Sequence, residues 1–403
     1  MSAQTGTTAL LAEAHDLLPG IVELRRLLHR HPEVGLRLPV TQAAVVAELE
    51  RLGLEPRTGT RVTSATAVVA GARPGPTVLL RADMDGLPLH EETGLEFASE
   101  VPDAMHACGH DTHVAMLVGA TRLLLARRDA LAGSVLLMFQ PGEEGWHGAR
   151  YMLEERLLDA TPSPVAGAFA IHISTRYPAA TVNLKPGPTY AAADTIRLAV
   201  RGRGGHASAP HAALDPIPVA AEIVLALQSM VTRSVDPFDP AVVTIAHIMG
   251  GTTSNVIPEV VHLEGTMRTV SDERRSAVRA SIRRVAEGVA AAHGASVELA
   301  IEEGYPVTVN DPAFTSLARE VAIGLVGPDA VTDLAAPVMG AEDFSYVLQR
   351  VPGAMFHLGA RPAGEDPETA PQNHSNRVVF DEPSMAVGAA LLAGVALRFL
   401  GSG

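Results

Sequence analysis

The sequence predicts an α/β protein: a mostly parallel sheet covered by helices on both faces, interrupted by an inserted ferredoxin-like α+β domain. Three observations carry this expectation. Short unbroken apolar runs (Ala67–Ala70, Thr77–Leu80, Val135–Phe139, Ala166–Ile171) alternate with helical segments, as strands buried on both faces do. Between about residues 190 and 304 the order becomes β-α-β-β-α-β, the ferredoxin-like unit. A chain of 403 residues also exceeds what one ordinary core holds.

Taken in order, Ile21–Arg30 and Thr41–Leu52 carry apolar residues at helical spacing, and Thr112–Ala126 reads as a helix between two buried strands. After the Pro186/Pro188 loop, Thr195–Val200 reads as strand, Pro216–Ser234 as helix, and Val242–Ile248 and Val260–Arg268 as strands. Ser271–His293 is a long helix and Ser296–Ile301 a strand. The expected boundaries are therefore 1–188, an insert at 189–304, and a return to the first domain over 305–403.

Composition narrows the function. Hydrophobic residues make up 47% and charged residues 19%, a well-folded globular balance. No apolar run reaches membrane-spanning length, and the N-terminus lacks the basic start and apolar centre of a signal peptide. With a single cysteine, these features point to the reducing cytoplasm. A net charge of −14 opposes nucleic acid and anionic membranes as partners. Arg274-Arg275 and Arg283-Arg284 fall on a predicted helix and read as solvated face. Lys185, the only lysine, sits in a Leu-Lys-Pro-Gly-Pro loop, which excludes a P-loop and a Schiff-base enzyme.

The lone Cys108 stands in Met105-His106-Ala107-Cys108-Gly109-His110-Asp111-Thr112-His113, a poor apolar pocket and a good metal site. A Cys-x-His step through extended chain would point Cys108 and His110 the same way. The bland alternative is a buried free cysteine beside surface histidines. Other polar groups directly follow buried strands: Asp83 and Asp85 after Thr77–Leu80, Glu143 and Glu144 after Val135–Phe139, and His172 after Ala166–Ile171. Sites in open α/β sheets form outside the carboxyl ends of strands, so these groups should converge. In the glycine-flanked Glu143-Glu144 turn, one carboxylate can bind metal while the other moves a proton. His374 lies in a polar loop before Val378–Phe380. His206 is expected at a glycine-rich tip within the insert, where Asn255 and Arg268 also fall.

These blocks resemble the dinuclear-metal amidohydrolases that include hippurate hydrolases, N-acyl-amino-acid aminoacylases and auxin-conjugate hydrolases, the cysteine-containing branch of the aminoacylase and glutamate-carboxypeptidase class. The likeness runs almost end to end, through Leu28-His29-Arg30-His31-Pro32-Glu33, Arg81-Ala82-Asp83-Met84-Asp85-Gly86-Leu87-Pro88, His106–Asp111, Gln140–Gly145, Gly204–His211, Glu342-Asp343-Phe344 and Val351-Pro352-Gly353. It implies two divalent metal ions per chain (Mn, Zn, Co or Ni), with Cys108 bridging, His110 and His172 on one ion, and Glu144 and His374 on the other. It implies Glu143 as general base and acid, Asp83 as a partner orienting a metal-site group, and His206 reaching a neighbouring subunit's site to stabilise an oxyanion. Asn255 and Arg268 would hold the substrate carboxylate. The insert would be lid and dimer interface, with 1–188 and 305–403 forming the catalytic domain. Asn376 stands where relatives often carry proline, Ala341 where serine is frequent, and Arg81 where the wider class places a metal histidine.

The expected activity is hydrolysis of N-acyl-L-amino acids to a carboxylic acid and a free amino acid by metal-activated water, in a homodimer or larger assembly of dimers. A dipeptidase or carboxypeptidase-like activity on the same site is the alternative. A cysteine hydrolase using Cys108 would leave Glu143, Glu144, His172 and His374 idle, and a non-catalytic metal sensor would leave the base unused. With only 4% aromatic residues, an aliphatic acyl pocket is expected, with Met249, Met339 and Leu358 as candidate walls.

Overall fold

The computed structural model describes residues 3–401. The chain divides into two compact units: Met1–Gly187 with Val309–Ala336 and Asp343–Gly403, and Pro188–Thr308 with Pro337–Glu342.

The first unit is mixed α/β with a mostly parallel central sheet. Its eight strands run in the order Arg57–Thr58, Ala65–Ala70, Ala132–Gln140, Arg73–Asp83, Val165–Pro178, Gly353–Arg361, Val182–Leu184, Val331–Asp333. The four central strands, from Ala132–Gln140 to Gly353–Arg361, are mutually parallel, and antiparallel pairs flank them. Leu79, Leu80, Leu136, Leu137, Phe169 and Phe356 are fully buried, so these strands read as continuous apolar runs. The helices Ala3–Arg30, His110–Leu125, Pro312–Val326 and Ser384–Leu400 contribute to the same core.

Two boundaries differ from the sequence expectation. The first helix extends back to Ala3 and contains Pro19. Leu10, Ala14, Ile21, Leu24 and Leu28 are buried at helical spacing on either side of it, so the apolar face outweighs the lost backbone hydrogen bond. The strand expected to end at Ile171 runs to Pro178, so His172 lies within it and not after it. A polar residue marked a false end, because half-buried residues alternate with buried ones beyond it.

In the second unit, Ala241–Gly250, Val260–Thr269, Ala192–Arg201 and Ser296–Glu303 form an antiparallel sheet in that order. The helices Pro216–Ser234 and Asp272–Ala292 share a core with it through Ile223, Leu227, Val278 and Ile282. The connectivity is β-α-β-β-α-β. Both helices start on side-chain caps: Asp215 accepts the Ile217 N–H, and Ser271 accepts the Arg274 N–H. Among the described residues, no helix is long and apolar enough to cross a membrane.

Candidate metal centre and active site

The strand Arg73–Asp83 ends in charged residues that are nonetheless buried, because they answer one another. Arg81 donates to Asp83 Oδ2 at 2.7 Å, to Gln140 Oε1 at 2.9 Å and to Asp343 Oδ1 at 3.2 Å. Asp343 also accepts the Ala149 N–H at 2.9 Å. Burial alone would raise the Asp83 carboxyl, yet Arg81, with His110 and His113, holds it well below the usual carboxylate range.

Cys108 and His110 are not joined by extended chain. Gly109 turns into the left-handed region (φ 88°), and His110 opens the helix His110–Leu125. A Cβ at position 109 would stand 2.5 Å from Ile173 Cγ2 and 3.0 Å from a Phe380 ring carbon, so this turn requires glycine. Ile173 and Phe380 belong to a small apolar cluster with Met105, Ala107, Ala360 and Val378 that supports the loop. The sharper turn still brings the two side chains together. Ligand atoms of Cys108, His110 and His172 lie within 4.8 Å of one another, and so do those of Cys108, Glu144 and His374. One sulfur belongs to both groups. Cys108 Sγ is 3.4 Å from His172 Nε2 and 3.3 Å from His374 Nε2.

Hydrogen bonds decide which ring nitrogens are available. His110 Nδ1 lies 2.9 Å from the Asp85 carbonyl, and His172 Nδ1 lies 2.7 Å from the Ile173 carbonyl. A carbonyl only accepts, so each Nδ1 carries a proton, and Nε2 is the nitrogen left to offer a lone pair to a cation. His110 Nε2 is buried with no hydrogen-bond partner. Glu144 Oε1 is likewise buried without one, although His374 Nε2 stands 3.2 Å away: close, but without hydrogen-bond geometry. Sulfur, nitrogen and oxygen lone pairs converging in this way fit a borderline divalent cation. The potential agrees. Burial would lower the His110 pKa, but Asp83, then Asp85 and Glu144, push it up to about 10. Burial, with Glu144 and Glu143, pushes the Cys108 thiol well up. A cation relieves both.

His113 forms a further close group with Asp83 and His110, but its nitrogens are committed. Nε2 accepts the Ile173 N–H at 2.8 Å, and Nδ1 donates to Asp83 Oδ1 at 2.5 Å. It offers no lone pair.

The turn after Ala132–Gln140 has Gly142 (φ 68°) and Gly145 (φ 85°) at left-handed positions flanking the two glutamates. Asp85 accepts the Glu143 N–H at 2.9 Å on one carboxylate oxygen and the Glu144 N–H at 3.0 Å on the other. Glu143 is buried, and its carboxylate lies within 4.8 Å of ligand atoms of His110 and Glu144. His374 itself has a left-handed backbone (φ 71°), and its N–H bonds the Ala107 carbonyl at 2.9 Å. Asn373 Nδ2 donates to the Cys108 and Ile173 carbonyls at 3.0 Å each. Sequence reasoning missed Asn373, although its place beside His374 was a usable signal.

In the second unit, His206 is exposed on the short strand Gly205–His206, paired with Val256–Ile257. The Ser208 N–H donates to His206 Nδ1 at 3.1 Å, so the ring proton sits on Nε2. His206 and Asn255 line one cavity of about 480 Å³ with Glu259 and Val256. Arg268 does not line it. That residue is half-buried on the strand Val260–Thr269, its guanidinium makes no ion pair or side-chain hydrogen bond among the described residues, and burial lowers its pKa against the pull of Asp194. Two of the residues expected to wall an acyl pocket lie in different surroundings. Leu358 is fully buried in the first unit's core, where it packs toward Gly388, and Met249 is 56% exposed on the strand Ala241–Gly250.

Two buried histidines near this site set an acid limit on stability. Burial pushes His106 down to about 3 and His357 down to about 4, from an ordinary 6.5. Folded-state values below the unfolded one leave stability intact above pH 6.5. It is lost as pH falls through that window toward the folded values, by about 1.4 kcal/mol per pH unit per group. Urea midpoints should therefore drop steeply below pH 6.5, and the His106→Gln/His357→Gln variant should show a flatter acid limb. An equally steep limb in that variant would refute the assignment.

The sequence model for Peptidase family M20/M25/M40 matches residues 79–398. The chain belongs to that family. Thermostable carboxypeptidase 1 of Saccharolobus solfataricus is 39% identical over 391 residues, covering 96% of this chain and 97% of its own. The N-acetylcysteine deacetylase of Bacillus subtilis is 36% identical over 381 residues, covering 94% and 97%. A Bacillus subtilis crystal structure described as a dinuclear metal binding peptidase from the M20 family superposes with a TM-score of 0.83 at 34% identity, covering 96% of this chain and 99% of that one. This M20 chain is a metal-dependent enzyme that hydrolyses amide bonds.

Proposed function

We propose that the enzyme removes the acyl group from N-acyl-L-amino acids, releasing a carboxylic acid and a free amino acid. The observation that carries this reading is the pair of ligand groups sharing the Cys108 sulfur, with the Glu143 carboxylate beside them. Cys108, His110 and His172 would hold one divalent ion, and Cys108, Glu144 and His374 a second. Manganese, zinc, cobalt and nickel all suit this donor set. Such ions polarise the amide carbonyl and make water more acidic.

The remaining work falls to the chain's own side chains. Glu143 takes a proton from the attacking water and returns it to the leaving amine nitrogen, the two halves of general base and acid catalysis by one carboxylate. Asp83 holds His113 through its Nδ1 proton, and His113 in turn holds the backbone next to His172. His206, exposed and with its ring proton on Nε2, suits the stabilisation of an oxyanion in a partner subunit's site. Asn255 and Arg268 would hold the free carboxylate, Arg268 because its guanidinium makes no ion pair among the described residues. The second unit is then both lid and dimer interface, in a cytoplasmic homodimer. A carboxypeptidase-like specificity is the second reading, favoured by the likeness to the archaeal carboxypeptidase.

A panel varying acyl group and amino acid independently, assayed with manganese, zinc and cobalt, separates the two. Short aliphatic N-acyl-amino acids should turn over faster than N-blocked peptides and faster than the corresponding amino-acid amides. A strong metal chelator should abolish turnover, and added ion should restore it. Faster cleavage of N-blocked peptides would establish the second reading. Activity that survives complete chelation would refute both.

A further inference from the structure

We infer that Asp85 is a positioning residue that sets Glu143 and Glu144 against His110, an assignment that rests on the function proposed above. Asp85 follows the strand Arg73–Asp83 and is 1% exposed. It makes three bonds to three different site residues. Its carbonyl accepts the His110 Nδ1 proton at 2.9 Å. Its carboxylate accepts the Glu143 N–H at 2.9 Å on one oxygen and the Glu144 N–H at 3.0 Å on the other.

The chemistry of that clamp is selective. Two successive backbone N–H groups face one carboxylate, which is acceptor-only on both oxygens and bonds such donors strongly. An asparagine offers one acceptor and turns an NH2 group toward the second N–H, so it satisfies only half the turn. A glutamate is longer by one methylene in a fully packed site. Because consecutive side chains leave the turn in different directions, holding both amides fixes the proton-moving carboxylate relative to its ligating neighbour. The carbonyl bond adds His110 to the same frame. One buried residue thus ties together the helix His110–Leu125, the Pro141–Gly145 turn and the end of the strand Arg73–Asp83.

The test compares wild type, Asp85→Asn and Asp85→Ala as full-length, manganese-loaded protein. Chelator competition gives the affinity for Mn²⁺, and steady-state kinetics at saturating Mn²⁺ give kcat and KM. Partners that orient metal-site groups are typically worth about 10–100-fold. Both variants should therefore bind Mn²⁺ about 10–100-fold more weakly and lose about 10–100-fold in kcat, with KM within about twofold. A role confined to folding would lower the active fraction without changing kcat per folded, loaded site. Values of kcat and affinity within about twofold of wild type, while Glu143→Gln is inactive, would overturn the Asp85 assignment alone. An active Glu143→Gln would overturn the function it rests on, and the assignment with it. Should neither variant fold, hydrogen exchange on the wild type decides. The Glu143 and Glu144 amides should exchange at least about 100-fold more slowly than free turn amides; unprotected amides would overturn the clamp.

Discussion

Glu143→Gln should leave the protein folded and metal-loaded while lowering kcat by about 10²–10⁴-fold, the usual contribution of a positioned general acid–base. The substitution keeps the size of the side chain and leaves the backbone N–H bond to Asp85 intact. It removes only the capacity to take and return a proton. Glu144→Ala should behave differently, because its carboxylate belongs with Cys108 and His374 in one ligand group. That variant should lose about half the bound metal, one ion of two. Elemental analysis beside single-turnover kinetics separates the pair, and equal metal loss in both variants would undo the division of labour.

Arg81→Met should be among the most destabilising single changes in the first unit. The guanidinium is fully buried and neutralises two buried carboxylates, Asp83 and Asp343, while also bonding Gln140. Methionine fills much of the volume but strands both charges. Removing one partner of a buried ion pair typically costs about 3–5 kcal/mol. Denaturant unfolding at pH 7 should report a loss of that order. Asp83→Asn combined with Arg81→Met should recover part of it, since one stranded charge is then gone. Full stability in Arg81→Met alone would show that the two carboxylates are held by their other contacts.

Much of this architecture was legible because apolar runs and helical spacing report burial directly. The order of elements between Ala192 and Glu303 follows from those periods alone. Most groups whose ligand atoms meet at Cys108 were legible for a related reason, standing after a buried strand or in a motif block. His172 was found through a strand end that the structure places six residues beyond it. The rest was hidden in physics that spacing does not encode. Arg81 to Asp83 read as the end of a strand because charges usually mark one. Here mutual pairing with Gln140 and Asp343 pays for their burial, and the last partner is 262 residues from Arg81 in sequence. Gly109 was read as extended chain, whereas packing of Ile173 and Phe380 against its α-carbon forces the left-handed turn. The first helix was read only from Ile21, whereas the apolar face on both sides of Pro19 carries it back to Ala3. The clamp at Asp85 depends on two backbone amides, and no residue type announces those.

The first unit is discontinuous in sequence, and its site draws on both pieces. Cys108, His110, Glu144 and His172 precede the second unit, while His374 and Asp343 arrive only after it. Closing a loop of that length costs only slowly more with each added residue, but it cannot close before its end exists. Even the Cys108–His110–His172 group waits for that end, because Asn373 holds the Cys108 and Ile173 carbonyls and Phe380 packs on the Gly109 turn. Both ligand groups are therefore completed by the last part of the chain to be made, and the second unit is synthesised before either has its full support.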